Sequence, residues 1–250
     1  MSCIAIVAAM PEERSALVKR LAGVRRTVVE GFAVYSGRLG EREVCVVESG
    51  MGTAAAARAT KALIGAVAPT LLVSAGFCGA VRPGPQTGDL VVCRRLLTAD
   101  SERVQELPLP GGEQAALRLS AELQRFGLRA WQGSFITSRV IMTKSALSAR
   151  LPEDMAHPVL EMESAAVALA AAGAGIPFVG LRAVSDDSSE ELQFSLDELC
   201  GDDGQVSVLR VMGLLVRRPR LLAQFLRLAS GSAKAGKSLV QSLERIGGML

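Results

Sequence analysis

Short apolar runs, most of them ended by Gly or by an acid, alternate with Ala-rich stretches of helical length, and that rhythm restricts the fold more than any other feature. Ile4–Ala8 closes at Met10-Pro11-Glu12-Glu13 and Glu43–Glu48 at Ser49-Gly50-Met51-Gly52. Thr70–Ala75 closes at Gly76-Phe77-Cys78-Gly79 and Phe178–Val184 at Ser185-Asp186-Asp187. Runs this short and this uniformly apolar read as strands covered on both faces. Further strands are expected at Thr27–Ser36, Asp89–Arg94 and Trp131–Thr137. Helices are expected at Ser15–Leu21, Thr53–Val67, Gln114–Phe126, Ser145–Leu151 and Glu163–Ala172, and Gly76–Gly79 reads as a bend. The chain is 49% apolar but only 4% aromatic, with 25 Gly, so its helices must pack on the sheet through small side chains. The fold class expected is α/β, a three-layer single domain.

At 250 residues the chain can bury a full core. Residues 205–250 carry eight cations against Glu244 alone, a net +7 within a chain of net +3, which leaves 1–204 at −4. The expected division is therefore a mildly acidic body, 1–204, and a basic helical extension, 205–250. An acidic body argues against nucleic acid as a partner. In the extension, Leu214, Leu215, Leu221, Leu222, Phe225 and Leu226 alternate with arginines and are interrupted at Pro219. Such a segment either packs on the body or across a dimer, or lies on an anionic membrane surface as a peripheral contact. The five cysteines form no CxxC pair and sit mostly in apolar runs, as reduced thiols of a cytoplasmic protein do. Glu12 and Glu13 follow the first apolar run directly, so that run reads as a strand and not as a signal peptide. No His/Cys/Asp set has metal-ligand spacing, and no Gly-x-Gly-x-x-Gly follows the first strand. Neither a metal nor a nucleotide cofactor is expected, and the single His157, in a loop before Pro158, is given no role.

The chemistry-bearing residues are acids at strand ends, where open α/β sheets hold their ligands. Glu163, in Glu161-Met162-Glu163, opens a helix just after a short apolar strand, and Asp186 ends the strand that carries Arg182. Taken singly, each could be no more than a helix cap or a first-turn acid answering the helix dipole. Six blocks occur in one order: Met10-x-x-Glu13, Ser49-Gly50-x-Gly52, Gly76-x-Cys78-Gly79, Gly88-Asp89-Leu90-Val91-Val92, Glu161-Met162-Glu163 and Arg182-Ala183-x-Ser185-Asp186. In that order they resemble the nucleoside phosphorylase/nucleosidase superfamily, in particular the methylthioadenosine/S-adenosylhomocysteine nucleosidase type.

The resemblance implies a mixed, twisted central sheet forming a partial barrel, and an enzyme that cleaves the N-glycosidic bond of a 5′-modified adenosine. Asp186 would protonate the departing purine at N7, with Asp187 as a neighbouring carboxylate raising its pKa. Glu163 would accept from both ribose hydroxyls, and Met162 would lie against the sugar. Glu161 would support them or be exposed. Glu13 would polarise the attacking water. Val140 and Ile141, through their backbone, and Ser185 would meet the purine. Gly50, Gly52, Gly76, Phe77, Cys78 and Gly79 would surround the nucleophile, which is water or phosphate. A homodimer is implied by the same resemblance. Phe77 stands where the family usually has Ser. Ser74 and Ala75 stand where phosphorolytic members place Arg, and Arg14 reads as exposed, which favours water. Val140 stands where the nucleosidases have an aromatic. Phe77 and the extension together resemble the hopanoid-associated phosphorylase branch, which implies a 5′-lipid adenosine such as adenosylhopane. The competing readings are a phosphate-dependent purine nucleoside phosphorylase and a non-catalytic nucleoside-binding module.

Overall fold

The structure, a computed structural model, describes residues 3–109, 111–140, 142–190 and 222–249, with side chains of the last helix described over 226–243. The elements run β1 (Cys3–Ala8), α1 (Pro11–Val18), β2 (Ala22–Val29), β3 (Phe32–Leu39), β4 (Arg42–Glu48), α2 (Thr53–Val67), β5 (Leu71–Ala80), β6 (Leu90–Ala99) and β7 (Val104–Leu107). They continue with α3 (Gly112–Arg125), β8 (Ala130–Ser138), α4 (Lys144–Ser148), β9 (Pro158–Glu161), α5 (Ser164–Gly173), β10 (Phe178–Asp186) and α6 (Leu222–Met249).

One mixed sheet of ten strands organises them, in the order β10-β6-β8-β9-β5-β1-β4-β3-β2, with β7 on β6. Because β10 also pairs with β5, the strands β5, β10, β6, β8 and β9 close on one another as a five-stranded barrel. β1 is buried along its whole length and shows why the layers form. Its Ile4, Ile6 and Ala8 face a core shared with Leu17 of α1, Leu119 and Leu123 of α3, and Leu239 and Leu243 of α6. Its Cys3, Ala5 and Val7 face the other way, into Ala56, Ala59 and Leu63 of α2 and Val167 and Ala171 of α5. Alanine at that second interface lets the two helices approach closely, which is the use the Ala-rich composition foretold.

Several local expectations need correction. The region between α1 and α2 holds three strands, not two. β2 is exposed along its length except at its last residue, so it carries no burial pattern to read. A two-residue turn joins β2 to β3 and places Glu30 at φ +48° and Gly31 at φ +87°, the positive pair that a tight hairpin requires. Arg25 and Arg26 on this outermost strand keep the open edge charged. α1 begins at Pro11, where a missing N–H costs nothing in a first turn. Gly76–Gly79 is not a bend. It is part of β5 and pairs with β10 in register, Gly76 with Arg182 and Gly79 with Asp186. β7 has only four residues and went unread.

The described part of the extension is seated on the body. Ala235, Leu239 and Leu243 of α6 are buried in the same core as Phe77. Ser238 Oγ donates to the Gly88 carbonyl at 2.6 Å. At Gly231 a Cβ would stand 2.0 Å from the Ser185 carbonyl oxygen, so α6 can rest on the end of β10 only with glycine there. Leu226 remains 63% exposed. Pro219, Leu214, Leu215, Leu221 and Cys200, together with the side chains of Leu222 and Phe225, lie outside what is described. Among the described residues no helix is long and apolar enough to cross a membrane.

Candidate active site

Arg182 organises the chemistry. It is 1% exposed, and its Nη2 donates to Ser74 Oγ at 3.2 Å, Ser164 Oγ at 3.1 Å and Glu163 Oε2 at 3.2 Å, and also to Glu161 Oε2. In the sequence, Arg182 stands out only as the first residue of the Arg182-Ala183-x-Ser185-Asp186 block. The signal for more was there, since an arginine in an otherwise apolar buried strand must have carboxylates waiting for it.

Glu161 is 5% exposed and not a surface residue, so of its two expected places only the supporting one is compatible with the structure. It accepts from Thr137 Oγ1 and from the backbone N–H of Glu163 (3.0 Å) and of Ser164 (2.8 Å). Burial alone would raise its pKa, but the Arg182 guanidinium and these donors hold it below the usual carboxylate range. Glu163, at the N-cap of α5, takes the Gly52 N–H at 3.0 Å and Arg182. Its pKa is pushed up to about 7, first by burial and then by the negative charges of Glu161 and Glu13, against the pull of Arg182. Met162 between them is half-buried.

Glu13 reaches the same cluster from the other side of the sheet end. Three backbone amides hold its carboxylate: Phe77 on Oε1 at 2.7 Å, and Ala9 (2.8 Å) and Met10 (3.1 Å) on Oε2. Burial raises its pKa above the ordinary value, with Arg182 and the three amides opposing. Phe77 therefore contributes its N–H, while its ring turns into the core. Gly76 stands between Glu13 and Arg182. A Cβ there would lie 2.6 Å from Glu13 Oε1 and closer still to Arg182 Nη1. Among the described residues, buried Arg182 Nε has no hydrogen-bond partner. Gly76→Ala should cost about 1–3 kcal/mol through this collision, because neither group can retreat from its own bonds. Urea denaturation of the variant measures the loss, and unchanged stability would show that the cluster is looser than drawn.

Asp186 lies at the other end of this stretch of β5. Its Oδ1 accepts from Ser185 Oγ at 2.6 Å, and its Oδ2 is paired with Lys144, the first residue of α4, which is 6% exposed. Lys144 Nζ also donates to the carbonyls of Asp187 (2.6 Å) and Asp186 (3.3 Å). The neighbouring carboxylate expected from Asp187 is absent from this arrangement. That side chain turns to Ser189, whose N–H (2.9 Å) and Oγ (2.5 Å) hold its pKa low. Lys144 was missed because nothing in the sequence connects the start of α4 to the end of β10. A β-bulge between Val184 and Asp186 aims the acid. Gly79 makes room for it, since a Cβ there would stand 2.8 Å from both Asp186 Oδ2 and Lys144 Cε.

Val140 is 41% exposed at the rim beyond β8, and its N–H and C=O are both engaged by the Ser138 hydroxyl. Ile141 lies outside the described residues. Ser185 gives its hydroxyl to Asp186 and to the Cys78 carbonyl at 3.2 Å. Cys78 is deeply buried, which pushes its thiol pKa up. Arg14 is neither inward-facing nor free. It pairs with Glu48 at 2.9 Å and lies over the Tyr35 ring at 4.8 Å. His157 packs edge-on to Trp131 at 4.5 Å. No group of three or more His, Cys, Asp or Glu among the described residues is placed to hold a metal ion.

Known proteins resemble this chain throughout. The family model described as the phosphorylase superfamily matches residues 3–216. A 5′-methylthioadenosine/S-adenosylhomocysteine nucleosidase of Geobacillus kaustophilus is 30% identical over 231 residues, 84% of this chain and 95% of that protein. The S-adenosylhomocysteine nucleosidase of Streptococcus pyogenes, solved with 5-methylthiotubericidin, superposes with a TM-score of 0.73 at 21% identity, over 100% of this chain and 98% of the other. A mutant futalosine hydrolase of Helicobacter pylori gives 0.75 at 16% identity, over 100% of both chains. These two structural likenesses concern the fold alone.

Proposed function

The chain belongs to the phosphorylase superfamily, and we propose that it cleaves the N-glycosidic bond of a 5′-modified adenosine, releasing adenine to water. The observation that carries this reading is the grouping of Glu13, Glu161 and Glu163 round Arg182 at Gly76, with Asp186 at Gly79. Three residue steps of strand, from Gly76 to Gly79, separate the two ends, roughly 10 Å at about 3.3 Å per residue. A sugar at one end and a purine at the other fit that span.

In this reading Glu163 holds the ribose diol, because an ionised carboxylate offers two acceptor oxygens to two hydroxyls. Its charge also favours a sugar that becomes cationic as the bond to the base lengthens. The attacking water is held by the Glu13 carboxylate, to which it donates. The water oxygen bonds C1′ and its proton passes to Glu13. The C1′–N9 bonding pair leaves with the purine, and Asp186, having taken a proton from solvent as it enters the reactive complex, delivers that proton to N7, so adenine departs neutral. The Lys144 ammonium must give up Asp186 Oδ2 as the base enters.

Water is preferred to phosphate because three carboxyl groups face a single guanidinium here, and an incoming phosphate would meet that excess of negative charge. Adenine release from methylthioadenosine should therefore continue in phosphate-free buffer and yield a free reducing sugar. Strict dependence on phosphate would make the protein a phosphorylase, and failure to release base from any purine nucleoside would leave the binding-module reading. A homodimer is part of the proposal by family resemblance, and light scattering tests it. A 5′-lipid adenosine remains the finer alternative for the substituent, and with it peripheral membrane contact.

A further inference from the structure

Lys144 stands where a cation has little reason to be. It opens α4, at the end of a helix that disfavours positive charge, and it is buried. Both costs are offset at the base end of the site. Nζ is paired with Asp186 Oδ2 and donates to the carbonyls of Asp187 at 2.6 Å and of Asp186 at 3.3 Å. α4 itself is fastened at both ends. Thr143 Oγ1 accepts from the Ala146 N–H at 3.3 Å, and the Arg82 guanidinium donates to the carbonyls of Ser148 (2.9 Å), Leu151 (2.8 Å) and Pro152 (2.7 Å). Arg82 follows β5 closely, so the strand that makes room for Lys144 at Gly79 also anchors the helix that carries it. The ammonium is a fixed part of the base end.

A purine presents N7 and its 6-substituent side by side on one edge. In adenine these are an acceptor and a donor, and in a 6-oxopurine they are two acceptors. A protonated carboxyl alone would suit adenine, since its hydroxyl donates to N7 and its other oxygen accepts from the amino group. Here Oδ1 already accepts from Ser185 Oγ at 2.6 Å, and Oδ2 is flanked by an ammonium, which has donors and no acceptor. The Val140 carbonyl, another acceptor expected to meet the purine, already takes the Ser138 hydroxyl. Asp186 and Lys144 thus offer two donors in a row, the complement of N7 and O6.

We propose that Lys144 reads position 6 of the purine and makes 6-oxopurine nucleosides substrates of this site alongside the adenosines. The inference goes beyond the adenosine reading and rests on it for the seat of the base at Asp186. Once Asp186 is protonated its carboxyl no longer holds the ammonium by charge. The N–H that faced Oδ2 turns to O6, while the two carbonyls keep Nζ in place. The bonds that change are those of adenine release. The water oxygen joins C1′ and its proton passes to Glu13, the C1′–N9 pair leaves with the base, and N7 gains the proton of Asp186. Lys144 gives up no proton; it meets the negative charge that gathers on O6 as the pair departs. With adenine the ammonium faces amino hydrogens and must withdraw.

The probes are 5′-methylthioinosine and 5′-methylthioadenosine, and the readout is the ratio of their kcat/KM values, oxo over amino, from which any loss of folded protein cancels. The wild type should release hypoxanthine at least as efficiently as adenine. Lys144→Met has no donor and should lower the ratio by about ten- to a hundredfold, the usual contribution of a hydrogen bond to a charged group. Lys144→Gln can turn either its amide oxygen or its N–H to position 6, so its ratio should fall between the two. A wild type that cleaves only the adenosine, or a ratio that neither substitution moves, would overturn the assignment and leave Lys144 as a structural partner of Asp186. Cleavage of neither nucleoside would instead remove the parent reading.

Discussion

Asp186→Asn is expected to bind nucleoside within a few-fold of the wild type and to lose about 10²- to 10⁴-fold in kcat, the usual share of a positioned proton donor. The substitution changes little else. Asn keeps the one oxygen that accepts from Ser185 and gives up only the acceptor facing Lys144, whose ammonium still has the Asp186 and Asp187 carbonyls, and it fits the space that Gly79 provides. What it cannot do is hand over a proton as the purine leaves. The test is sharpened by a substrate whose leaving group needs no proton. A p-nitrophenyl riboside should be cleaved by wild type and variant at similar rates, while adenine release collapses. If both substrates fall together, Asp186 holds the site in shape and does not supply the acid. If neither falls, the proton comes from elsewhere.

Local sequence determined what was readable in advance. Strands buried on both faces announce themselves as apolar runs, so β1, β10 and the first half of β5 were legible to within a few residues, and β8, which mixes polar residues into its run, was legible as well. β2 was not, because an exposed edge strand has no apolar face to display and is fixed by its hairpin partner. Gly76 and Gly79 were misread for a related reason. Glycine in a sequence signals either freedom to turn or absence of a side chain, and only the packed structure tells which. Here Glu13, Arg182, Asp186 and Lys144 press on β5 at those two positions, and absence is what matters. The acids themselves were legible from their spacing. Their environments were not, since Lys144 on Asp186, Arg182 on Glu161 and Glu163, and three amides on Glu13 are all contacts between distant segments.

The same long-range contacts predict the largest stability effect. Arg182→Met should destabilise the protein by about 3–5 kcal/mol near pH 8, because it leaves buried carboxylates without their cation. The deficit should shrink with acidification, and the sign follows from the protons bound. Glu163 already holds its proton to about pH 7 in the folded state, against an ordinary value of 4.5, and burial raises Glu13 in the same direction. Arg182 lowers all three glutamates, so its removal lifts them further. A group whose folded pKa lies above its unfolded one binds more protons when folded, so stability falls as pH rises between the two values. The variant should accordingly be closest to wild type near pH 5 and furthest from it near pH 8 in urea denaturation. A second substitution separates charge from packing. Arg182→Met combined with Glu161→Gln removes the best-held carboxylate along with its partner, and the double variant should be less damaged than the two single losses added together. A pH-independent deficit, or simple additivity, would mean that Arg182 stabilises the barrel by filling space and that the glutamates do not depend on its charge.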